Sequence, residues 1–259
     1  MLPVSVVIIV KNECANIGEC IRTATAISTD IIVVDGGSTD NTVTLAKAAG
    51  AKVIQVTWKG YATSRNVGAS HAINDWIFAL DADERITESI VNSLCTLQAD
   101  TPVHFIFGFK RENYFLYKKI RFGDWGRDVV YRLYNRQATN WKNVPVHETL
   151  QFAGLSRQIR KGKLLHYTVT DMEAYSSKMI QYAFLSAQKK AIASQKHNLL
   201  KKAGSPVFNF INCYIIRLGF LDGKAGFIIA LHIAFYSWMK YNYDWSKEAN
   251  IYSLQAAHK

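Results

Sequence analysis

The sequence predicts an α/β fold in which helices flank a mostly parallel sheet. Val4–Val10 is an almost entirely apolar, β-branched run, which is typical of a strand that is covered on both faces. Strand and helix patterns then alternate as far as Asp81, and this order predicts right-handed crossovers between parallel strands. Polar residues directly follow three of the strands, at 11–13, at Asp35 and at 81–83. Because ligands of such sheets bind beyond the carboxyl ends of the strands, we expect a binding site at that edge.

Four strands and three helices are predicted over the first 81 residues. Gly50 ends one helix, and the polar segment 38–41 offers N-cap side chains for its start. The predicted strands are Val4–Val10, 31–34, 52–56 and 76–80, and the predicted helices extend from the polar break to about Ile27, from the capping segment to Ala49, and over 61–74.

The pattern changes after about residue 100. Two aromatic-rich strands, 103–109 and 129–134, are separated by a basic, glycine-containing loop at 118–127, which predicts a mixed, partly antiparallel half of the sheet. From about Asp171 the pattern is helical. We therefore divide the 259 residues into an α/β domain, 1–170, and a helical extension, 171–259.

The positive charge is concentrated in the second part of the chain. Residues 1–150 carry 16 Lys and Arg against 15 Asp and Glu, whereas residues 151–259 carry 15 against 5. Such an excess predicts attraction to an anionic surface, either nucleic acid or phospholipid. The aromatic residues near the C-terminus are typical of a belt at the lipid headgroup level, so we expect peripheral contact with an anionic membrane and no nucleic acid. These aromatic residues are Trp238, Tyr241, Tyr243 and Trp245.

Two further expectations concern the location of the chain. The apolar stretch 225–239 has fifteen residues, fewer than the roughly 20 that span a bilayer, so an interfacial hairpin or a helical pair buried against the domain is expected. The cysteines at 14, 20, 95 and 213 are scattered without a CxxC pair, which is typical of reduced thiols in the cytoplasm.

The segment Leu80-Asp81-Ala82-Asp83-Glu84 ends a buried strand on two carboxylates. Side chains at i and i+2 of an extended segment share a face, so Asp81 and Asp83 are expected to point the same way. Closely spaced carboxylates suit a hard divalent cation, which in turn suits a diphosphate. Asp35 ends another buried strand, where a carboxylate can accept a nucleobase N–H.

Four blocks of the sequence are similar to those of the family 2 glycosyltransferases of the GT-A fold. They are VSVVIIVKNE, IIVVDGGSTDNT, SRNVGA and DWIFALDADE, in this order over residues 4–84. The continuation to Val146-His147-Glu148 and the later block GFLDGKAGFIIALHIAFYSWMKY resemble the bacterial β-1,4-glucosyltransferase-like branch that builds lipopolysaccharide core. The resemblance implies a GT-A domain and a nucleotide-sugar donor.

The resemblance also implies a substrate pair and a location. A hexose, expected to be glucose from UDP-glucose, would be transferred to a lipid-linked glycan at the inner face of the cytoplasmic membrane. Asp35 would hold the nucleobase, and Lys11, Asn12 and Glu13 would line the same pocket.

Roles in the chemistry are implied for further residues. Asp81 would lie near the ribose and diphosphate, and Asp83 would bind Mg²⁺ or Mn²⁺ between the phosphates, with His147 as a second metal ligand or a packing residue. Arg65 would steady the diphosphate, or would form an ordinary salt bridge on a helix.

Glu148 would be the base of a direct, inverting displacement. Asp124 and Asp128 are alternative bases, and the acceptor or diphosphate loop would include Trp125, Arg127, Arg132 and Arg136.

Two other classes of protein compete with this interpretation. A metal-dependent nucleotidyltransferase also places carboxylates at strand ends, but it usually opens with a glycine-rich phosphate loop, where this chain has Lys11-Asn12-Glu13. A non-catalytic membrane- or nucleic-acid-binding module would explain the basic half, although no base-stacking or helix-turn-helix motif is recognisable.

Overall fold

The computed structural model describes residues 2–142, 149–173, 175–177, 179–180, 183, 186 and 199–242. The chain forms two compact units. Unit 1 comprises Met1–Tyr114 and Arg127–Thr168, and unit 2 comprises Phe115–Gly126 and Val169–Lys259. The segment 115–126, which the sequence places within the α/β domain, therefore belongs to the same unit as the C-terminal helices.

Helices and strands alternate in the first part of unit 1, as predicted. The strands are β1 Val4–Val10, β2 Ile31–Asp35, β3 Lys52–Gln55, β4 Trp76–Asp81, β5 Glu84–Arg85, β6 Phe105–Phe115, β7 Lys118–Lys119, β8 Val129–Asn135 and β9 Ser156–Val169. The α-helices are α1 Ile17–Ala24, α2 Thr42–Ala48, α3 Tyr61–Ser70, α4 Glu88–Cys95, α5 Leu199–Ile211 and α6 Gly223–Asn242.

The sheet is mixed, which confirms the predicted fold class. Eight strands pair in the order β3-β2-β1-β4-β8-β6-β9-β5. β1 to β4 are parallel, whereas β8 runs antiparallel to both β4 and β6. The parallel half comes from the alternating strands and helices, and the antiparallel half from the aromatic-rich strands that follow residue 100.

Both faces of the parallel strands are covered, as the apolar run of β1 predicts. Val6 and Ile8 contribute to one core and Val7 and Ile9 to the other, because successive side chains of a strand point to opposite faces. The first core takes its helical residues from α1, α2 and α4, and the second takes its helical residues from α3.

The helices bury one face each for reasons that are visible in the sequence. α1 buries Ile17, Cys20, Ile21 and Ala24, which follow the i, i+3, i+4, i+7 spacing of an amphipathic helix. α3 instead approaches the sheet through small residues. A Cβ at Gly68 would lie 2.3 Å from Val7 Cγ1, so only glycine permits this approach.

Unit 2 has its own apolar core, formed by residues from the segment 115–126 and from the C-terminal helices. Phe115, Ile120, Cys213, Ile229 and Ala230 are among its buried members. A π-helical turn, Asn212–Ile216, and a 3-10 turn, Gly219–Asp222, connect α5 to α6, close to the turn predicted at Gly219 and Gly223. All four cysteines of the chain are free thiols.

The expectation about the start of α2 is confirmed, and one about the C-terminal segment is wrong. Asn41 is the N-cap residue; it makes no side-chain capping hydrogen bond itself, and its neighbour Asp40 accepts the Thr42 backbone N–H at the start of the helix. The C-terminal apolar segment is longer than predicted. Gly219–Tyr241, in which an 18-residue window has a mean hydropathy of 1.2, is long and apolar enough to cross a membrane by length and composition, because the 3-10 turn and α6 extend beyond the apolar stretch at both ends.

Candidate active site

The register of the parallel strands brings the predicted polar residues to one edge of the sheet. Val10 lies beside Asp35 in the β1–β2 pair, and Ile9 lies beside Asp81 in the β1–β4 pair. Residues 11–13 follow β1 directly. The strand ends of β1, β2 and β4 thus converge as the sequence predicts.

The loops after β1 and β2 are tied together by side-chain hydrogen bonds. Asn12, which adopts a φ of 56°, donates its backbone N–H to Ser38 Oγ (2.9 Å) and accepts the Thr39 N–H (2.8 Å). The Glu13 N–H donates to Thr42 Oγ1, at 2.8 Å. A hydrogen bond from the Thr42 hydroxyl lowers the pKa of Asp40 to about 2, so this carboxylate stays ionised and holds the start of α2.

Asp35 is fully buried and closes the turn after β2. Its carboxylate accepts the backbone N–H groups of Gly37 and Ser38, at 3.1–3.3 Å. Trp58 covers the same turn, because a Cβ at Gly36 would lie 2.3 Å from its ring. An ionised carboxylate has about four acceptor positions, so Asp35 retains capacity for a base N–H.

Asp81 is held between two arginines. Arg65 of α3 donates from Nη2 to Asp81 Oδ1 at 2.6 Å, and Arg132 of β8 donates to Oδ2. The Arg65 guanidinium also stacks on Trp141, 4.4 Å from the ring centroid. Burial raises the pKa of Asp81, but the charges of Arg132 and Arg65 outweigh it and hold the pKa well below its ordinary value.

Glu84 extends this cluster through the buried interior of unit 1. It is fully buried and accepts from Arg132 (2.5 Å), from Arg111 (3.1 Å) and from the Asp81 backbone N–H (3.0 Å). Arg111 in turn pairs with Asp128 at 2.7 Å. Three arginines and three carboxylates therefore form one continuous chain of ion pairs, which we call the arginine–carboxylate chain. Its members are Arg65, Asp81, Arg132, Glu84, Arg111 and Asp128.

Two of these arginines keep buried N–H groups that lack a hydrogen-bond acceptor. They are the Nε atoms of Arg65 and Arg132, the guanidinium groups on either side of Asp81. A buried donor without a partner is costly, and an additional acceptor would remove that cost.

Asp83 and His166 form a second pair beside the first. Asp83 lies in a turn between β4 and β5, and its Oδ2 is 3.3 Å from His166 Nε2 on β9. His166 Nδ1 lies 2.6 Å from Asn113 Oδ1. When Nδ1 carries the proton and donates it to Asn113, Nε2 of the neutral imidazole presents a lone pair to the carboxylate.

This pair matches the donor set of a divalent cation. In that tautomer two facing acceptors favour a cation between them, and a metal-binding histidine commonly donates its other ring N–H to an oxygen acceptor. His166 Nδ1 also lies 2.8 Å from Thr168 Oγ1, and when that hydroxyl donates to Nδ1, Nε2 carries the proton and donates to Asp83. Among the residues that the structure describes there is no group of three or more His, Cys, Asp or Glu side chains placed to hold a metal. The residues therefore fit a cation that takes its remaining ligands from a diphosphate, the usual arrangement for Mg²⁺.

Asp81 and Asp83 do not share a face, and that expectation is wrong. The strand ends at Asp81, and residues 82 and 83 form a turn before β5. The i, i+2 rule applies to extended backbone only. The turn sends the two carboxylates to different partners, Asp81 to arginines and Asp83 to a histidine.

Of the remaining predicted residues that the structure describes, only some lie in this cluster. Arg132 lies in β8 within the arginine–carboxylate chain, whereas Arg127 is exposed. Trp125 belongs to unit 2 and packs against Phe115 and Tyr175. Lys11 is exposed after β1. Glu148 and His147 lie outside the described residues.

Arg136 does not belong to the predicted acceptor or diphosphate loop. It follows Asn135, which pairs with Trp76 at the start of β4, and it forms an ion pair with Asp75. It therefore lies at the opposite edge of the sheet from Asp81. Both alternative bases already have guanidinium partners, since Asp128 pairs with Arg111 and Asp124 with Arg217.

His166, Glu84 and Arg111 are not predicted as site residues from the sequence. His166 and Arg111 lie in plain strand patterns, and long-range pairing alone brings them to the site. Glu84 could have been found as a third carboxylate of the Asp81–Glu84 segment. His166 carries no local signal, because its partner Asp83 is 83 residues away in the sequence.

Comparison with known proteins gives a family for this chain. The family model described as glycosyl transferase family 2 matches residues 5–162. An uncharacterized glycosyltransferase of Rickettsia typhi is 29% identical over 254 residues, covering 91% of this chain and 84% of the relative. The lipopolysaccharide core biosynthesis glycosyltransferase LpsC of Rhizobium meliloti is 27% identical over 254 residues, covering 92% and 90%.

Solved structures are similar over a smaller part of the chain. A crystal structure of glucosyl-3-phosphoglycerate synthase from Mycobacterium tuberculosis, in complex with Mg²⁺ and uridine diphosphate, is 24% identical with a TM-score of 0.34. The match covers 43% of this chain and 44% of that one.

Proposed function

The chain belongs to glycosyl transferase family 2 and is a nucleotide-sugar-dependent glycosyltransferase; from this we propose that it transfers glucose from UDP-glucose to a lipid-linked glycan such as lipopolysaccharide core. The reaction is a direct displacement that inverts the anomeric carbon. One observation carries the donor half of the proposal, namely the Asp83–His166 pair next to the Arg65–Asp81–Arg132 cluster at the carboxyl edge of the sheet.

The diphosphate of the donor binds at this edge. Its negative charge suits Arg65 and Arg132, whose buried Nε donors lack partners. Asp81 keeps the two guanidinium groups in place before the donor arrives, which lowers the cost of organising the site. A Mg²⁺ or Mn²⁺ ion held by Asp83 and His166 would supply charge neutralisation for the departing diphosphate.

The nucleobase binds at the turn after β2. Asp35 accepts a base N–H, while Lys11, Asn12 and Glu13 line the pocket, which the hydrogen bonds between the two loops keep ordered. Trp58, which covers the same turn, offers an aromatic face to the base.

Glu148 takes the proton of the acceptor hydroxyl as the new bond forms. The resemblance to the lipopolysaccharide core branch supports this role, and so does the engagement of both alternatives in ion pairs. With one base and no covalent nucleophile, the sugar is transferred in a single inverting step.

The acceptor is proposed from the relatives and from charge. LpsC is described as a lipopolysaccharide core biosynthesis enzyme, and residues 151–259 carry 15 Lys and Arg against 5 Asp and Glu. A basic surface favours work at an anionic membrane, where a lipid-linked acceptor is concentrated. We therefore place the enzyme at the inner face of the cytoplasmic membrane.

Calorimetry with UDP, GDP, dTDP and CDP, each with and without Mn²⁺, tests the donor half. We expect preferential, Mn²⁺-dependent binding of UDP, and a loss of at least about tenfold in that binding for Asp83→Ala and for His166→Ala. Asp75→Asn, which alters an exposed ion pair of the same unit, is the matched control and should bind normally. Metal-independent binding, or equal binding by all variants, would contradict the proposal.

Glu148→Gln tests the catalytic half. We expect transfer to be abolished while UDP binding stays near normal, because a base acts on the acceptor and not on the donor. A collapse of UDP binding would instead assign Glu148 to the donor site and leave the base to be found elsewhere.

A further inference from the structure

Exposed apolar side chains are concentrated in one part of unit 2. Twelve large apolar residues between 207 and 238 are exposed. Ser205 and Asn209 of α5 hydrogen-bond to Ser237 of α6, and Phe210 contacts Phe227, so the two helices form an antiparallel hairpin. We call the exposed apolar residues of this hairpin the hairpin face. They are Val207, Phe208, Ile211, Ile215, Ile216, Leu218, Phe220, Leu221, Phe227, Leu231, Phe235 and Trp238.

The α6 part of the hairpin face is a single stripe. Phe227, Leu231, Phe235 and Trp238 follow one another at spacings of four, four and three residues, which places them on one side of the helix. Their exposed fractions are 43–51%. The other side of α6 is buried within unit 2, through Ala225, Ile229, Ala230, Ser237 and Met239. The helix is therefore covered on one side and apolar on both.

The connection between the helices continues this surface. Ile215, Ile216, Leu218, Phe220 and Leu221 are all exposed within seven residues. Leu218 adopts a φ of 60°, a left-handed conformation that is costly for a residue other than glycine. The fold thus tolerates backbone strain at a place where it displays apolar side chains to the outside.

A cation lies at one end of the apolar stripe. Lys224 comes three residues before Phe227, on the same side of α6. Lys240 lies on the opposite side, with its Nζ 5.8 Å from the ring centroids of Tyr236 and Tyr241. A lysine at the end of an apolar stripe reaches phosphate headgroups while the stripe enters the acyl boundary. A contiguous apolar surface with a cation at its end matches an anionic bilayer better than it matches water.

The anchoring of α6 favours a helix that lies along the membrane over one that crosses it. Buried Asp222, just before α6, accepts the backbone N–H groups of Arg121 and Phe122 at 2.8–3.2 Å. Lys118 Nζ donates to the Asp222 carbonyl oxygen at 2.7 Å. The N-terminal end of α6 is therefore held to a basic segment, and one whole side of the helix is occupied by its own unit.

We propose that the hairpin face is a membrane-docking surface, which lies in the plane of an anionic bilayer and inserts the α6 stripe and the residues 215–221 to the headgroup–acyl boundary. This inference deepens the proposed function, on whose membrane-bound acceptor its biological purpose rests. Docking itself requires neither donor nor acceptor, so it can be tested separately.

Flotation of the full chain with vesicles tests the docking. Wild type should bind vesicles that contain phosphatidylglycerol more strongly than neutral phosphatidylcholine vesicles. The double variant Leu221→Ser/Leu231→Ser should bind at least roughly tenfold more weakly. The matched control Ile73→Ser/Ile159→Ser removes two exposed apolar side chains from unit 1 and should leave binding unchanged.

The orientation is tested with brominated lipids. Bromines near the headgroups should quench the tryptophan fluorescence of the protein more than bromines at the bilayer centre do. This difference should disappear in Trp238→Phe. Three results would overturn the proposal. One is equal binding by the hairpin and control variants, and another is maximal Trp238 quenching at the bilayer centre. The third is an oligomer in solution that binds no vesicles and dissociates in the hairpin variant, which would make the face a contact between copies of the chain.

Vesicle binding without UDP binding would leave the docking surface standing while the proposed donor site fails. UDP binding without vesicle binding would support the proposed donor site and contradict the docking surface.

Discussion

The two units of this protein differ in which side chains they bury: unit 1 buries charged side chains, whereas unit 2 exposes apolar ones. Of the described residues, unit 1 exposes four large apolar side chains, whereas unit 2 exposes fifteen. Unit 1 also buries charged residues, among them Asp35, Arg65, Glu84 and Arg132, and in the described part of unit 2 Asp222 is the buried charged residue.

This difference indicates which unit is suited to bind a charged ligand and which is suited to contact an apolar surface. Buried charges need partners on every side, and a two-faced sheet supplies them from several strands and helices at once. An exposed apolar surface needs no such precision, because apolar attraction has no direction. Unit 1 is thus suited to a small, highly charged donor, and unit 2 to an extended, adaptable surface.

The largest effect on stability is expected in the arginine–carboxylate chain. Glu84→Gln removes the carboxylate that Arg132 and Arg111 share and leaves buried positive charge without compensation. We expect the free energy of unfolding to fall by about 3–5 kcal/mol, measured by urea denaturation. Glu19→Gln, which breaks an exposed pair with Arg22, should change it by less than about 1 kcal/mol. Equal effects would remove the contrast between buried and exposed pairs.

A smaller effect is expected at the buried carboxylate of unit 2. Asp222→Asn removes the negative charge that strengthens the hydrogen bonds from the Arg121 and Phe122 backbone N–H groups, and it replaces one of the two accepting oxygens with an NH₂ group. The expected loss is about 1–3 kcal/mol of the free energy of unfolding. Lys224→Gln, an exposed change two residues away, is the control and should be nearly neutral. A loss as large as that of Glu84→Gln would show that unit 2 also depends on a charge network.

Acid is expected to lower the free energy of unfolding of unit 1 through protonation of Asp81. Asp81 accounts for only a part of the total stability. Folding lowers the pKa of this carboxyl, because Arg132 and Arg65 more than offset the effect of burial. Such a group stabilises the fold above its unfolded pKa of about 3.9, and this contribution is lost as the pH falls further. Urea denaturation between pH 7 and pH 3 should therefore show declining stability, and Asp81→Asn should flatten the decline. The exposed Asp100→Asn should not, and a decline of equal steepness in all three proteins would exclude Asp81 as its source.

The smallest effect is expected on the hairpin face. Phe235→Ser should change the free energy of unfolding by less than about 1 kcal/mol, because the side chain is already exposed. Ile229→Ala, on the buried side of the same helix, should cost about 2–4 kcal/mol. A large loss for Phe235→Ser would show that the hairpin face is covered in the folded protein.

Local patterns in the sequence predicted the parallel half of the fold well. The run Val4–Val10, the strand that ends at Asp81 and the glycine-marked turns carry their signals within a few residues. The sequence also predicts which residues lie together at the carboxyl edge of the sheet, namely 11–13, Asp35 and Asp81. Parallel strands with crossover helices have their carboxyl ends at the same edge. The separate directions of Asp81 and Asp83 could not be predicted, because a two-residue turn decides them.

By itself, then, the sequence determined the α/β class, the edge of the sheet that carries the site, the family through its four ordered blocks, and the division between a charge-balanced first part and a basic second part. These properties depend on periodicity, composition and short motifs, which act locally along the chain. Only the tertiary structure decided that Asp81 lies between Arg65 and Arg132, that Glu84 links Arg132 to Arg111, and that His166 faces Asp83. These partners lie 16 to 83 residues apart, and strand pairing and burial, to which many distant residues contribute, bring them together.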